Sequence, residues 1–124
     1  RKMNKLVFLI FLLLISCGQT FNSNSGDAKF AITTCADPSN TTLFNATLVL
    51  ADRCINCHTG YHDKWANYCT NNDWVNAGEV LPGNSAGSLL IKILKQNAGG
   101  TMPKNQPKIP DTEYQTLIQW IDGI

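Results

Sequence analysis

Cys54-Ile55-Asn56-Cys57-His58 places two thiols three positions apart, with an imidazole directly after the second. Three chemistries use a Cys-x-x-Cys pair, and each needs a different fold around it. A structural zinc site takes four ligands, usually from two such pairs; this chain has one pair, 2 histidines and scattered single cysteines. A thioredoxin-like dithiol expects a βαβ context, and no such pattern is present. The third chemistry is covalent attachment of c-type haem, for which Cys-x-x-Cys-His is the signature. The thiols add across the two vinyl groups on one edge of a porphyrin, and His58 reaches under the plane to the iron. On that chemistry, a covalently held macrocycle can serve as the core of a small domain.

Haem attachment raises the question of the other axial ligand. Methionine is one known partner of histidine and raises the reduction potential. The chain has 2 methionines. Met3 is expected to be the initiator and to be lost with the signal described below, which leaves Met102 in Gly99-Gly100-Thr101-Met102-Pro103. Glycines let backbone approach a flat ligand closely, and Pro103 biases Met102 toward extended backbone. Such a loop can project a thioether onto the distal face; the alternative is a surface loop with an idle methionine. His62 is the competing ligand. It lies four residues after His58, so a helix would put both imidazoles on one face, whereas axial ligands come from opposite faces. A surface histidine, or one beside a haem propionate, is the reading for His62.

Arg1-Lys2-Met3-Asn4-Lys5 precedes an unbroken apolar run from Leu6 to Ile15, followed by Ser16, Cys17 and Gly18. A basic start, a short apolar core and small residues make a secretory signal. The run is about 15 Å of helix, short of a bilayer core of roughly 30 Å. Residues 1–16 are therefore read as a signal peptide, and 17–38 as a polar, flexible tether. Within that span, residues 30–37 are ambiguous, and docking on the domain as an extended strand is one option. From Cys17 onward Lys+Arg falls to 7 against 9 Asp+Glu, a net 7 − 9 = −2. With no basic run, nucleic acid is not an expected partner.

Residues 39–124 are read as one domain. Pro38-Ser39-Asn40-Thr41 is a helix start. Leu43, Phe44, Thr47, Leu48, Ala51 and Ile55 then recur at helical spacing into the Cys-x-x-Cys-His motif. Residues 61–76 are polar and aromatic, a loop with room for a short helix. Leu81-Pro82-Gly83-Asn84 is a turn. Ser88 to Gln96 is expected as a short helix capped by Ser88, 97–110 as loop, and Asp111 as the cap of a last helix. Tyr114, Leu117, Ile118 and Ile121 form its apolar stripe. No strand is expected.

The order CINCHTG, VLPGNSAGSLL, GGTMP and LIQWIDG resembles a small class I cytochrome c domain, over roughly Thr41 to Ile124. The resemblance implies an all-α, cytochrome c-like fold of about three to four helices around one covalent haem c. It implies thioethers at Cys54 and Cys57, and His58 and Met102 as axial ligands. It also implies a proline carbonyl, matched here by Pro82, accepting the other imidazole N–H. Trp120 and Tyr114 would pack between the terminal helices or along the haem edge. The aromatic segment 61–76 departs from the pattern, and either presents a partner surface or caps the haem edge.

The leader ends Leu14-Ile15-Ser16-Cys17, which resembles a bacterial lipobox and implies lipidation of Cys17; a chance cysteine after an ordinary signal is the alternative. Gly18 after it favours the outer membrane. Lipid, together with the two thioethers, accounts for three of the 5 cysteines and leaves Cys35 and Cys69. In an exported, disulfide-permissive setting they are expected to pair, with two unpaired thiols as the alternative. The expected function is electron transfer, not enzymatic turnover: a lipid-anchored exported monohaem cytochrome on the periplasmic face of a membrane, exchanging electrons with redox proteins. Alternatives are a haem-based gas sensor, or the cytochrome subunit of a larger oxidoreductase.

Overall fold

The structure is a computed structural model that describes residues 32–58 and 65–124. Among them it is all-α: helices α1 (Thr41–Arg53), α2 (Asn71–Asn76), α3 (Leu89–Lys92) and α4 (Asp111–Asp122), with a 3-10 turn at Trp65–Asn67. The only sheet-like feature among these residues is a lone parallel bridge between Leu94 and Met102. No helix among them is long and apolar enough to cross a membrane. Cys17 and His62 lie outside the described residues.

Helix α1 starts where Asn40 Oδ1 accepts the Leu43 N–H, satisfying one of the donors a helix N-terminus exposes. Its buried face is Leu43, Ala46, Thr47, Leu50 and Ala51. The expected stripe is thus rotated: Leu48 is 45 % exposed, and Leu50 takes its place inside. Thr47 is tolerated in the core because its hydroxyl donates to the Leu43 carbonyl, 2.9 Å away. Helix α1 packs against α4, which buries Leu117, Trp120 and Ile121. On α4, Tyr114 and Ile118 of the expected stripe are only partly buried. Pro110, not Asp111, is its N-cap; Asp111 is the first helical residue.

The segment ahead of α1 belongs to the packed unit and is not tether throughout. Residues 32–35 form a helical turn in place of an extended strand, Ile32 is buried in the core, and Cys35 is bonded to Cys69. That bond closes a chain separation of 34 residues, a constraint typically worth about 2–4 kcal/mol. It fastens the start of the domain to the stretch before α2. Helix α2 carries a reciprocal capping box between Thr70 and Asp73. The Thr70 side-chain and backbone hydrogen bonds hold the Asp73 carboxyl below its usual range.

Helix α3 is shorter than expected, ending at Lys92 rather than Gln96. Local propensity would carry SLLIKILKQ further, but tertiary contacts intervene. The Ile93 carbonyl accepts the N–H groups of both Thr101 and Met102, each at 2.9 Å, and Lys95 N–H donates to the Met102 carbonyl at 2.8 Å. Ser88 does not cap through its side chain. Its hydroxyl instead accepts from Leu81 N–H and donates to the Asn84 carbonyl, both at 2.8 Å, and so ties down the Pro82 turn.

Candidate functional site

The Cys-x-x-Cys-His motif is the coiled end of α1. Cys54 is the C-cap, its N–H donating to the Leu50 carbonyl. Its own carbonyl then accepts from Cys57 N–H and His58 N–H, both at 3.1 Å. Ile55 is 0 % exposed, so its side chain pins this turn to the core. Neither Cys54 nor Cys57 is in a disulfide; Cys54 is half-buried and Cys57 exposed.

Cys54, Cys57, His58 and Met102 all line one cavity of about 320 Å³, within the roughly 300–1,000 Å³ usual for ligand sites. Leu90, Ile93 and Leu94 supply apolar wall from α3 and the turn after it, Trp65 contributes an indole, and Pro103 to Gln106 complete the lining. Two segments 44 residues apart (102 − 58) are thus brought to the same apolar space.

The Met102 side is fixed by backbone. Besides the bonds to Ile93 and Lys95, Asn97 Nδ2 donates to the Ile91 carbonyl at 2.6 Å and Gln96 Nε2 to the Ile109 carbonyl at 2.7 Å. Lys95 Nζ donates to the Gln106 carbonyl. Gly100 is needed because a Cβ there would lie 1.9 Å from the Leu94 carbonyl oxygen. The close approach this glycine permits is therefore to the chain itself, which differs from the expected approach to a flat ligand.

Burial, with a second contribution from the neighbouring Cys57, pushes the Cys54 thiol up to about 12. Reactive dithiols depend on a lowered thiol pKa, so Cys54 has the opposite electrostatics. Among the described residues, no three of His, Cys, Asp and Glu gather as a metal-holding group.

The expected Pro82 partner lies in an exposed turn beside the end of α4, where Gly83 N–H donates to the Ile121 carbonyl at 2.9 Å. Pro82 is not among the residues lining the cavity. Trp120 packs edge-on against Trp74 at 5.5 Å, and its Nε1 donates to Asn71 Oδ1 at 2.9 Å, so it joins α4 to α2. Tyr114 donates to Asn97 Oδ1 at 3.3 Å. Trp65 and Trp74 are 3 % and 0 % exposed, so the tryptophans of segment 61–76 form core and do not present a partner surface.

Two further residues at the site were not assigned individually from the sequence, although Trp65 lies in the aromatic segment 61–76 for which a haem-edge cap was one option. Arg53 lines the cavity and makes a two-pronged ion pair with Glu113 at 2.7 and 2.8 Å, linking the end of α1 to the first turn of α4. The other is Trp65, which stacks on His58 with ring centroids 4.4 Å apart and planes 6° from parallel. Its Nε1 is buried with no hydrogen-bond partner among the described residues. Haem fits the donor set: the cavity is apolar, and a thioether, an imidazole and two thiols border it.

Comparison with protein-family models, with curated proteins and with solved structures finds no significant match.

Proposed function

We propose that the chain is a small class I, monohaem cytochrome c that carries single electrons between redox proteins. The observation that supports this best is the meeting of the Cys-x-x-Cys-His turn and Met102 at one apolar cavity. On this reading Cys54 and Cys57 hold the macrocycle through thioethers, and His58 and Met102 are the axial ligands. When bound, haem c supplies a one-electron iron couple. His58 and Met102 together leave no coordination position for substrate, which suits transfer and not oxygen chemistry. Leu90, Ile93 and Leu94 exclude water from the cavity wall. The packing of α1 on α4 accords with a cytochrome c-like arrangement in which the terminal helices meet beside the haem.

The test is the protein matured in a host competent for c-type haem attachment. A carrier shows a methionine–iron band when oxidised and no CO binding when reduced at neutral pH. Ready CO binding by the wild-type protein would replace the carrier with a gas-binding module.

The same proposal includes a lipid anchor at Cys17, carried by the apolar run Leu6–Ile15 that ends on it. One acyl chain anchors marginally and two or more stably. The anchor would keep the domain near one membrane face, on the periplasmic side, and raise its effective concentration for partners there. Cells fed radioactive palmitate should yield labelled wild-type protein and unlabelled Cys17→Ser; an unlabelled wild type removes the anchor and leaves the haem proposal standing.

A further inference from the structure

We infer that Trp65 is a positioning residue for the His58 imidazole: its indole face sets the plane in which that ring lies, and through it the electronic character of the iron. The inference rests on the haem reading above and goes beyond it, because nothing in the Cys-x-x-Cys-His motif specifies how the imidazole is rotated.

The geometry is a nearly parallel stack, 4.4 Å between centroids and 6° between planes. Stacking occupies the face of the imidazole. Coordination uses a nitrogen lone pair in the plane of the ring. The two demands do not compete, so the indole can hold the ring while the nitrogen binds. Rotation of the imidazole about its iron–nitrogen axis would tilt it out of this stack and lose the contact.

The indole is a fixed reference and not a passenger. Trp65 is 3 % exposed and packs on Trp74 with centroids 5.6 Å apart. Trp74 is itself boxed by Tyr68 at 4.9 Å and Trp120 at 5.5 Å. Behind it the chain is held by the Tyr68 N–H to Trp65 carbonyl bond of 3.0 Å and by the Cys69–Cys35 disulfide. His58, by contrast, is half-buried and sits at the end of a turn. The core-packed indole therefore presents a fixed plane to the imidazole. Groups that orient a metal-bound histidine normally do so by a hydrogen bond to its other nitrogen; a ring face adds a constraint of a different kind.

The test is proton NMR of the oxidised, haem-loaded protein, alongside its reduction potential. The plane of an axial imidazole governs how unpaired spin spreads over the porphyrin, so the spacing of the four haem-methyl resonances reports it. In the wild type, nuclear Overhauser contacts are expected between the His58 ring and the Trp65 indole. Trp65→Phe keeps a flat face and should retain the wild-type methyl pattern. Trp65→Leu keeps an apolar filler without the face, and should change the pattern and shift the potential. A purely structural role would lower thermal stability in both variants and leave the methyl pattern alone, which overturns the inference. Absence of the His58–Trp65 contacts in the wild type overturns it as well, whether or not the variants fold. If the wild type carries no covalent haem, the parent proposal falls and this one with it; if haem is attached and the pattern is indifferent to Trp65→Leu, only this one falls.

Discussion

Covalent haem is expected to disappear entirely from Cys54→Ala/Cys57→Ala, while each single variant keeps one thioether. Each thiol adds across one vinyl group: a carbon–sulfur bond forms, and the thiol hydrogen passes to the terminal vinyl carbon. A vinyl group left unreacted stays conjugated with the ring, so the reduced spectrum of either single variant shifts to the red. The two positions are not equivalent. Cys54 is half-buried at the end of α1, and Cys57 is exposed. Loss of Cys54 removes the link nearer the core, and Cys54→Ala should give the poorer yield of the two. In the double variant the residues lining the 320 Å³ cavity lose a covalently held occupant. A domain of this size buries a marginal core and commonly needs a staple or cofactor. Its thermal midpoint should therefore fall well below that of the wild type, even though the Cys35–Cys69 bond is untouched. Intact mass and the pyridine haemochrome spectrum decide the question. A wild-type protein without covalent haem after maturation in a competent host sinks the proposal.

What the sequence made legible follows from how local each signal was. Helix α1 could be placed because Asn40 supplies its cap and apolar residues recur behind it. Helix α4 could be placed for the same reason of periodicity. The motif at 54–58 is a contiguous chemical signature, and Met102 stood out by scarcity. What could not be read was non-local. Helix α3 ends at Lys92 because residues 101 and 102 bring their N–H groups to the Ile93 carbonyl, and nothing within SLLIKILKQ announces that. Residues 32–37 stayed ambiguous between tether and docked segment because two apolar anchors, Ile32 and Ala36, are too few to form a pattern. The stack of Trp65 on His58 lies in a polar stretch with no period at all. The segment stood out for its aromatics, with a haem-edge cap as one option, but nothing local says which ring meets His58. The face of α1 was misread by part of a turn because Leu48 and Leu50 are equally apolar, and burial of one over the other is decided by the neighbouring helix.

Met102→Ala should open one coordination position, and Gly100→Ala should reach the same end from a different cause. Without the thioether, the reduced protein is expected to bind CO. Methionine ligation raises the potential, so its loss should lower it, within the roughly 0.8 V span that axial ligands command. Gly100→Ala leaves the methionine in the chain. Its new Cβ, however, would sit 1.9 Å from the Leu94 oxygen and 2.5 Å from the Leu94 carbonyl carbon. Both are backbone atoms that cannot swing aside. The 99–102 backbone must move off Leu94, breaking the paired bonds to the Ile93 carbonyl that hold Met102 in the cavity wall. Partial or complete loss of the methionine–iron band is expected, together with reduced stability. Gly99→Ala is the control. Gly99 has φ +83° with open space around its missing Cβ, so alanine there costs about 1–2 kcal/mol of backbone strain without a clash. It should keep the band and exclude CO. The three variants separate the ligand from the loop: Met102→Ala changes ligation at little cost in stability, Gly99→Ala does the reverse, and Gly100→Ala does both. A low-spin spectrum unchanged in Met102→Ala but lost in His62→Ala would transfer the axial role to His62.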